Sequence, residues 1–321
     1  MKKRRFVALL VGLAFVLLFA LSGCRSDEET PGANDDDLEL SNSLDRDRDR
    51  DRPDGEDIGN DADNTQPAAP QHDLTMEELE EIMIVDDTML ERIRENSAVM
   101  LQLTPLAPGE ELAVLHTNMG DITLRFFPEE APLAVENFIT HARDGYYDGV
   151  IFHRVMPNFM IQTGDPTGTG AGGESIWGHP FGLEYSFNLR HFRGGLAMAH
   201  AGGAMQSQFY IVQNPGLMPA FRMEFEFLKE MQDEIIGRFS DGRLVYWRDV
   251  HPLDGLEYFI ENGGTPHLDW FWAETPPHTV FGHVVDGMDV VDAIAGVELV
   301  GGSRPVEDII IERISFIRYS N

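Results

Sequence analysis

Cysteine and positive charge are what this sequence has least of. Its 321 residues include a single cysteine, Cys24, so no disulfide can form within the chain and a fold must be held by its core. Lysine and arginine together number 24, against 55 aspartates and glutamates, which gives a formal net charge of −31. Because nucleic acids are bound through clustered basic side chains, we do not expect this protein to bind nucleic acid.

The N-terminus has the layout of a secretory signal peptide. Four basic residues at positions 2–5 precede an apolar run over residues 6–21. The run ends at Leu21-Ser22-Gly23-Cys24, which resembles the lipobox of bacterial lipoproteins. The resemblance implies that residues 1–23 are removed, that Cys24 carries a lipid, and that the protein is extracytoplasmic and anchored to the bacterial cell membrane. An uncleaved transmembrane anchor with an incidental cysteine is the alternative.

Two segments separate this N-terminus from the main domain. Residues 24–72 are rich in Asp, Asn, Pro and Gly, with few large apolar side chains, so we predict a disordered acidic tether. Residues 73–109 are predicted to be a helical connector, because Thr75 and Glu78 have the spacing of a capping box and a partial apolar stripe follows. Whether that helix packs on the main domain stays open.

From residue 110 to 321 the pattern changes to short apolar runs separated by turn residues. We predict helices over residues 133–143 and 288–295, and strands over residues 112–117, 121–127, 150–154, 160–163, 196–200, 209–213, 279–284 and 308–318. Such a pattern favours a mainly β fold with a closed antiparallel barrel. A partly helical insertion over residues 214–264 interrupts it, with helix-like stretches at 221–236 and 253–261.

Three segments of this domain carry long motifs: residues 152–170, which contain Phe-His-Arg-Val and a run of glycines; residues 194–211; and residues 266–282. Together they resemble the cyclophilin family of peptidyl-prolyl cis/trans isomerases. The resemblance covers roughly residues 112–213 and 265–318. It implies a closed eight-stranded antiparallel barrel capped by two α-helices, in agreement with the pattern. It also implies an enzyme that accelerates rotation about X-Pro bonds in proline-containing polypeptides, here secreted or envelope proteins. It implies no cofactor and no metal.

The resemblance gives the catalytic role to Arg154, whose guanidinium stays charged and offers several donors in one plane. It gives substrate-binding roles to ten further residues: Phe159, Met160, Gln162, Ala199, His200, Gln208, Tyr210, His267, Leu268 and His278. Three of these depart from common family residues, since His200 stands for Asn, Tyr210 for Phe, and His267 for the Trp of many eukaryotic members. Tyr210 adds a hydroxyl to the aromatic wall, and His267 predicts weak binding of cyclosporin.

Several alternatives accompany this assignment. His267 could instead be a metal ligand or a general base, but no His-Glu-x-x-His spacing occurs and bond rotation transfers no proton. The whole domain could be a non-catalytic surface module that binds its partner through the same pocket or through the insertion. The insertion itself could form a wall or lid along the groove, or could pack on itself as a surface elaboration.

Overall fold

The computed structural model of the chain describes residues 99–238, 244–269, 272–273 and 276–320. The predicted signal peptide, Cys24, the predicted tether and residues 73–98 of the predicted connector lie outside these ranges. Within the described ranges, no helix is both long enough and apolar enough to cross a membrane.

An eight-stranded antiparallel sheet forms the body of the fold. Its order is β12-β1-β2-β9-β5-β6-β4-β3, and four shorter strands pair outside it, β7 with β8 and β10 with β11. The bounds are β1 (Glu111–Thr117), β2 (Gly120–Phe126), β3 (Arg154–Met156), β4 (Met160–Thr163), β5 (Gly195–Ala201), β6 (Ala204–Val212), β7 (Ile235–Arg238), β8 (Leu244–Tyr246), β9 (Val280–Asp286), β10 (Leu299–Val300), β11 (Arg304–Pro305) and β12 (Ile311–Arg318).

The mainly β class is confirmed, but the prediction of a closed barrel is wrong: the sheet is a half-barrel that ends at β12 and β3. Residues 150–154, predicted as a strand, supply only Arg154 to β3. Before it, the chain makes one isolated bridge, Ile151 with Ile310, and single backbone hydrogen bonds such as Phe152 N–H to the carbonyl of Ile309 at 2.9 Å. Because these contacts involve only a few residues on each side, the two ends of the sheet meet without forming a continuous ladder of backbone hydrogen bonds.

Among the described residues, five α-helices accompany the sheet: α1 (Pro132–Arg143), α2 (Pro219–Glu230), α3 (Trp247–Val250), α4 (Leu253–Asn262) and α5 (Met288–Ala295). Helix α1 begins at Pro132, whose fixed φ suits a first turn. The Glu184 carboxylate accepts hydrogen bonds from the N–H groups of Leu133 and Ala134, at 3.0 and 2.9 Å, and so satisfies two free donors of that turn. Helices α1 and α5 contribute Phe138 and Ile294 to the main core under the sheet.

The insertion forms a second hydrophobic cluster together with residues from elsewhere in the domain. Phe221, Phe225 and Leu228 of α2 pack with Leu256 and Phe259 of α4, and this cluster also takes in Met100, Phe192 and the half-buried Trp272. We call these residues the insertion cluster. The predicted helix over residues 221–236 ends early, at Glu230, because the Ile235-Ile236 pair enters β7, where β-branched residues are favoured. Because Met100, Phe192 and Trp272 lie outside residues 214–264, the insertion packs partly on the rest of the domain, and its role as a lid or as a surface elaboration stays a prediction.

Residues 99–104, the described end of the predicted connector, pack on the domain. The Gln102 side chain accepts from the N–H of Arg190 at 2.7 Å and donates to the carbonyl of Arg190 at 3.0 Å. Leu101 N–H donates to the carbonyl of Asn188 at 3.2 Å. Residues 188–190 are therefore held between this segment and the sheet, next to the predicted pocket.

Candidate active site

The hairpin of β3 and β4 places Arg154 beside Gln162. The two residues are direct partners in the strand register, so their side chains project from the same face. The turn between the strands contains Asn158, whose φ of 59° is a conformation that asparagine tolerates better than most residues. Asn158 N–H donates to Gln213 Oε1 at 2.8 Å. This bond anchors the hairpin to the end of β6.

Arg154, Gln162 and Gln208 form a hydrogen-bonded chain. Arg154 Nη1 donates to Gln162 Oε1 at 3.1 Å, and Gln162 Nε2 donates to Gln208 Oε1 at 2.9 Å. Gln208 Nε2 donates to the carbonyls of Gly170 and Gly172, at 3.0 and 2.7 Å. Because backbone carbonyls only accept, they set the orientation of both amides and leave an acceptor oxygen for the guanidinium. The glycine carbonyls therefore orient Arg154 indirectly, through the side chains of Gln208 and Gln162.

A buried aspartate shapes the glycine loop that receives Gln208. Asp165 accepts hydrogen bonds from the N–H groups of Thr167, Gly170 and Gly172, at 2.8, 2.7 and 3.1 Å, and from the Thr167 hydroxyl. Burial alone would raise the pKa of Asp165, but these hydrogen bonds lower it to about 2. A Cβ at Gly172 would lie 2.3 Å from Asp165 Oδ1, so glycine is required there.

Apolar side chains from four segments form the rest of the site. Met160 of β4, Ala197 of β5 and Tyr210 of β6 are buried in one cluster, and Phe159 and Leu268 are partly buried against it. We call this the pocket cluster; its other members are Phe127, Leu189, Val212 and Val280, with Leu101, Met156 and Ala199 packed against them. Such a surface suits a proline ring, which has no side-chain donor or acceptor.

Three histidines border this cluster. His278 stacks on His200 with ring centroids 4.1 Å apart and bonds the carbonyl of Met198 through Nδ1 at 3.1 Å, while His267 stacks on Phe159 at 5.8 Å. Burial lowers the pKa of all three. The pKa of His278 falls to about 4, because the nearby imidazoles of His191 and His200 add to the effect of burial. At neutral pH these rings are uncharged aromatic surface.

Tyr210, His191 and Asp269 form a second hydrogen-bonded chain, which the sequence patterns did not indicate. Tyr210 Oη lies 3.0 Å from His191 Nε2, and His191 Nδ1 lies 2.6 Å from Asp269 Oδ1. That same Asp269 oxygen accepts the backbone N–H of His191 at 2.8 Å. A clue was present in Tyr210, since a buried hydroxyl needs a partner that the more common phenylalanine does not.

All eleven predicted pocket residues come together, although they derive from five separate stretches of the chain. Arg154, Gln162 and Gln208 form the first chain, and the pocket cluster and the stacked rings contain the other eight: Phe159, Met160, Ala199, His200, Tyr210, His267, Leu268 and His278. Their individual roles stay predictions. Cys24, the predicted lipidation site, lies outside the described residues.

Histidine proximity does not make a metal centre here. In the part of the chain that the structure describes, no group of three or more His, Cys, Asp and Glu side chains has an arrangement that could hold a metal ion. His191 is bonded on both ring nitrogens, and His278 uses one for a carbonyl. What the site offers chemically is a fixed cation and hydrogen-bond donor beside an apolar surface.

Comparison with known proteins points the same way. The family model for cyclophilin type peptidyl-prolyl cis-trans isomerases matches residues 112–316. A protein of Staphylococcus aureus (strain USA300), provisionally named a peptidyl-prolyl cis-trans isomerase, is 42% identical over 207 residues, which are 64% of this chain and 91% of that protein. A Streptococcus pyogenes serotype M6 protein, provisionally named a bifunctional phosphatase/peptidyl-prolyl cis-trans isomerase, is 46% identical over 203 residues, 62% of this chain but 37% of its own length.

Among solved structures, the cyclophilin type isomerase of Cryptosporidium parvum, determined in the presence of the dipeptide Ala-Pro, matches with a TM-score of 0.45 and 27% identity. The match covers 65% of this chain and 99% of that one. The family model spans most of the described residues, and the Staphylococcus aureus relative is matched over nearly its whole length. The chain therefore belongs to the cyclophilin family and is a peptidyl-prolyl cis/trans isomerase.

Proposed function

We propose that Arg154 catalyses the rotation of X-Pro bonds, with the proline ring held on the pocket cluster. The barrier to this rotation, roughly 18–20 kcal/mol, comes from amide resonance. A donor placed near the prolyl nitrogen favours the pyramidal nitrogen of the twisted bond over the planar ground state, so it lowers the barrier without forming any covalent bond. The observation that carries the proposal is the chain from Arg154 through Gln162 to Gln208.

The guanidinium has the donors for this task. Of its five N–H groups, one bonds Gln162 and one contacts Met156 Sδ at 2.9 Å, which leaves others for a ligand. The remaining polar lining is neutral, because burial keeps the bordering histidines unprotonated at pH 7. Arg154 is then the dominant positive charge facing the substrate, and its orientation is preset before substrate binds.

The test compares Arg154→Ala and Arg154→Lys with the wild type in the full-length protein, using NMR exchange of a short Ala-Pro-Phe peptide. We expect kcat/KM to fall at least about tenfold in Arg154→Ala, some 1.4 kcal/mol of transition-state stabilisation. Arg154→Lys should recover little of this activity, since a lysine ammonium lacks the planar set of donors that Gln162 orients in arginine. Wild-type rates in the folded Arg154→Ala variant would refute the role of Arg154.

We also propose that the clients are proline-containing segments of secreted or envelope proteins, and that Cys24 anchors the enzyme outside the cytoplasm. The apolar run over residues 6–21 and the lipobox-like sequence support this location. Membrane fractionation of cells expressing the wild type or Cys24→Ala tests it. The wild type should be in the membrane fraction and the variant released; a variant that stays equally membrane-bound would overturn the lipid anchor.

A further inference from the structure

Tyr210 and Leu268 lie on two different walls of the proposed proline pocket, and a set of buried polar side chains joins those walls. Tyr210 belongs to β6, and Leu268 ends a single 3-10 turn (Pro266–Leu268) that is followed directly by Asp269. Between them stands His191, from the segment before β5. His191 is 1% exposed, and Tyr210 and Asp269 are each 3% exposed.

Each contact in this set has a defined direction. Asp269 Oδ1 can only accept from His191 Nδ1, which therefore carries the proton when the ring is neutral. His191 Nε2 is then an acceptor, and the Tyr210 hydroxyl donates to it across 3.0 Å. The backbone fixes the same ring, because His191 N–H also reaches Asp269 and His191 C=O accepts from Thr265 N–H at 2.8 Å.

We propose that Tyr210, His191 and Asp269 are positioning residues of the isomerase, which hold the β6 wall and the 266–269 wall of the pocket at a fixed spacing. This rests on the proposed function of the pocket. None of the three needs to touch the reacting bond. A proline ring that fits between Tyr210 and Leu268 is gripped equally well before and during rotation, so the spacing acts on substrate binding and not on the rotation step itself.

The surroundings explain why the three belong together. A buried tyrosine hydroxyl without a partner costs about 1–3 kcal/mol, so Tyr210 is compatible with this wall only while His191 Nε2 accepts its hydrogen bond. His278 packs edge-on against both rings, with centroids 5.4 Å from Tyr210 and 6.3 Å from His191. A change at His191 therefore reaches two proposed pocket residues, Tyr210 and His278, although His191 is not one of them.

The experiment uses the full-length protein and an Ala-Pro-Phe peptide, with kcat and KM from NMR exchange and the peptide Kd from NMR titration. Tyr210→Phe removes only the hydroxyl. His191→Asn places an amide near the Nδ1 position, so it keeps the hydrogen bond to Asp269 and loses the hydrogen bond to Tyr210. We expect each to raise KM and Kd about threefold to tenfold with kcat within about twofold, and the double variant to be no worse than either single one.

Two further variants sharpen the test. His191→Gln places an amide oxygen near the Nε2 position and should bring KM back toward the wild type. His141→Asn changes another buried histidine, which bonds the carbonyl of Glu174 away from this wall. It should leave KM unchanged and combine additively with Tyr210→Phe.

The inference is overturned if Tyr210→Phe and His191→Asn lower the melting temperature but leave KM and Kd at wild-type values, or if their effects simply add. Failure of the proposed function would give a different result, because the wild type itself would then not accelerate exchange of the peptide. The Kd comparison would still test the positioning role in that case, because it needs binding and no turnover.

Discussion

The pocket cluster and the insertion cluster meet at the same stretch of chain but handle polar groups differently. Leu189 belongs to the pocket cluster and Phe192 to the insertion cluster. On the pocket side, polar side chains form two separate hydrogen-bonded chains, one ending at Arg154 and the other at Tyr210. On the insertion side, aromatic rings dominate, and the half-buried Glu224 has one hydrogen bond, from Trp272 Nε1 at 3.3 Å.

This difference teaches how stability and activity are divided in the molecule. Aromatic packing contributes free energy that depends on buried area and tolerates small displacements, whereas a donor aimed at a reacting nitrogen is useful only at a narrow range of positions. Substitutions in the insertion cluster should therefore act on folding, those in the Arg154 chain on turnover, and those in the Tyr210 chain on substrate binding. Three predictions test that division, in order of decreasing effect.

The largest effect is expected at Phe225, which is fully buried between Phe221, Phe259 and Trp272. Phe225→Ala should cost about 3–5 kcal/mol of unfolding free energy by leaving a cavity, while kcat/KM per folded molecule stays within about twofold of the wild type. Urea unfolding and peptide exchange on the same sample measure both. A folded Phe225→Ala protein with strongly reduced kcat/KM would show that the insertion shapes the pocket after all.

The next effect is a contrast in pH dependence. Burial raises the pKa of Glu224 to about 7, so the folded state binds its proton more tightly than the unfolded state, and this group's contribution to stability is lost as pH rises from about 4.5 to 7. His278 has the opposite sign. Its folded pKa of about 4 lies below the usual value of 6.5, so its contribution is lost as pH falls through that window.

Replacing each group by a neutral amide should reveal the opposite pH dependence of its contribution to stability. Glu224→Gln should stabilise the protein more at pH 8 than at pH 5, by on the order of 1–2 kcal/mol after allowance for partial exposure. His278→Asn should flatten the loss of stability between pH 6.5 and 4. Urea midpoints at pH 5, 6.5 and 8 provide the comparison. Identical pH profiles for the wild type and Glu224→Gln would contradict the assignment at Glu224.

The smallest effect is expected at Gln208, which lies two hydrogen bonds from Arg154. Gln208→Ala should lower kcat about threefold to tenfold through a less ordered Arg154, with stability changed by no more than about 1 kcal/mol. Gln232→Ala is the matched control, because that insertion amide also bonds carbonyls, of Leu228 and His251, but lies outside both polar chains. Equal kcat values for the two variants would argue against relayed orientation of the arginine.

Local pattern located most of the secondary structure. Strand β4 and helix α5 have the predicted bounds, and α1 differs only by Pro132, because each is a short periodic run closed by a turn residue. The prediction failed where long-range contacts decide. Residues 150–152 look like a strand but meet only residues 309–311, where β12 begins, and the helix-like pattern over residues 221–236 is divided by pairing between β7 and β8.

In the candidate site, too, some residues could be predicted from local motifs and others depend on long-range contacts. Arg154, Gln162, Gln208 and the apolar wall could be predicted because they lie in long motifs. His191 stands in no motif and is 78 residues from Asp269. Its role depends on a contact that no local pattern encodes. Asp165 was visible in the glycine run, but only the folded loop shows four of its hydrogen bonds converging on one carboxylate.

The sequence by itself determined the family, the mainly β class, the candidate residues for the pocket and the absence of a disulfide within the chain, because these follow from residue identity and short spacings. Only the tertiary structure decided that the sheet stays a half-barrel, that the insertion shares an aromatic cluster with Met100, Phe192 and Trp272, and that Tyr210 is connected to Asp269 through His191. Those outcomes depend on which distant segments come to lie side by side, where a hydrogen bond of about 3 Å either forms or does not.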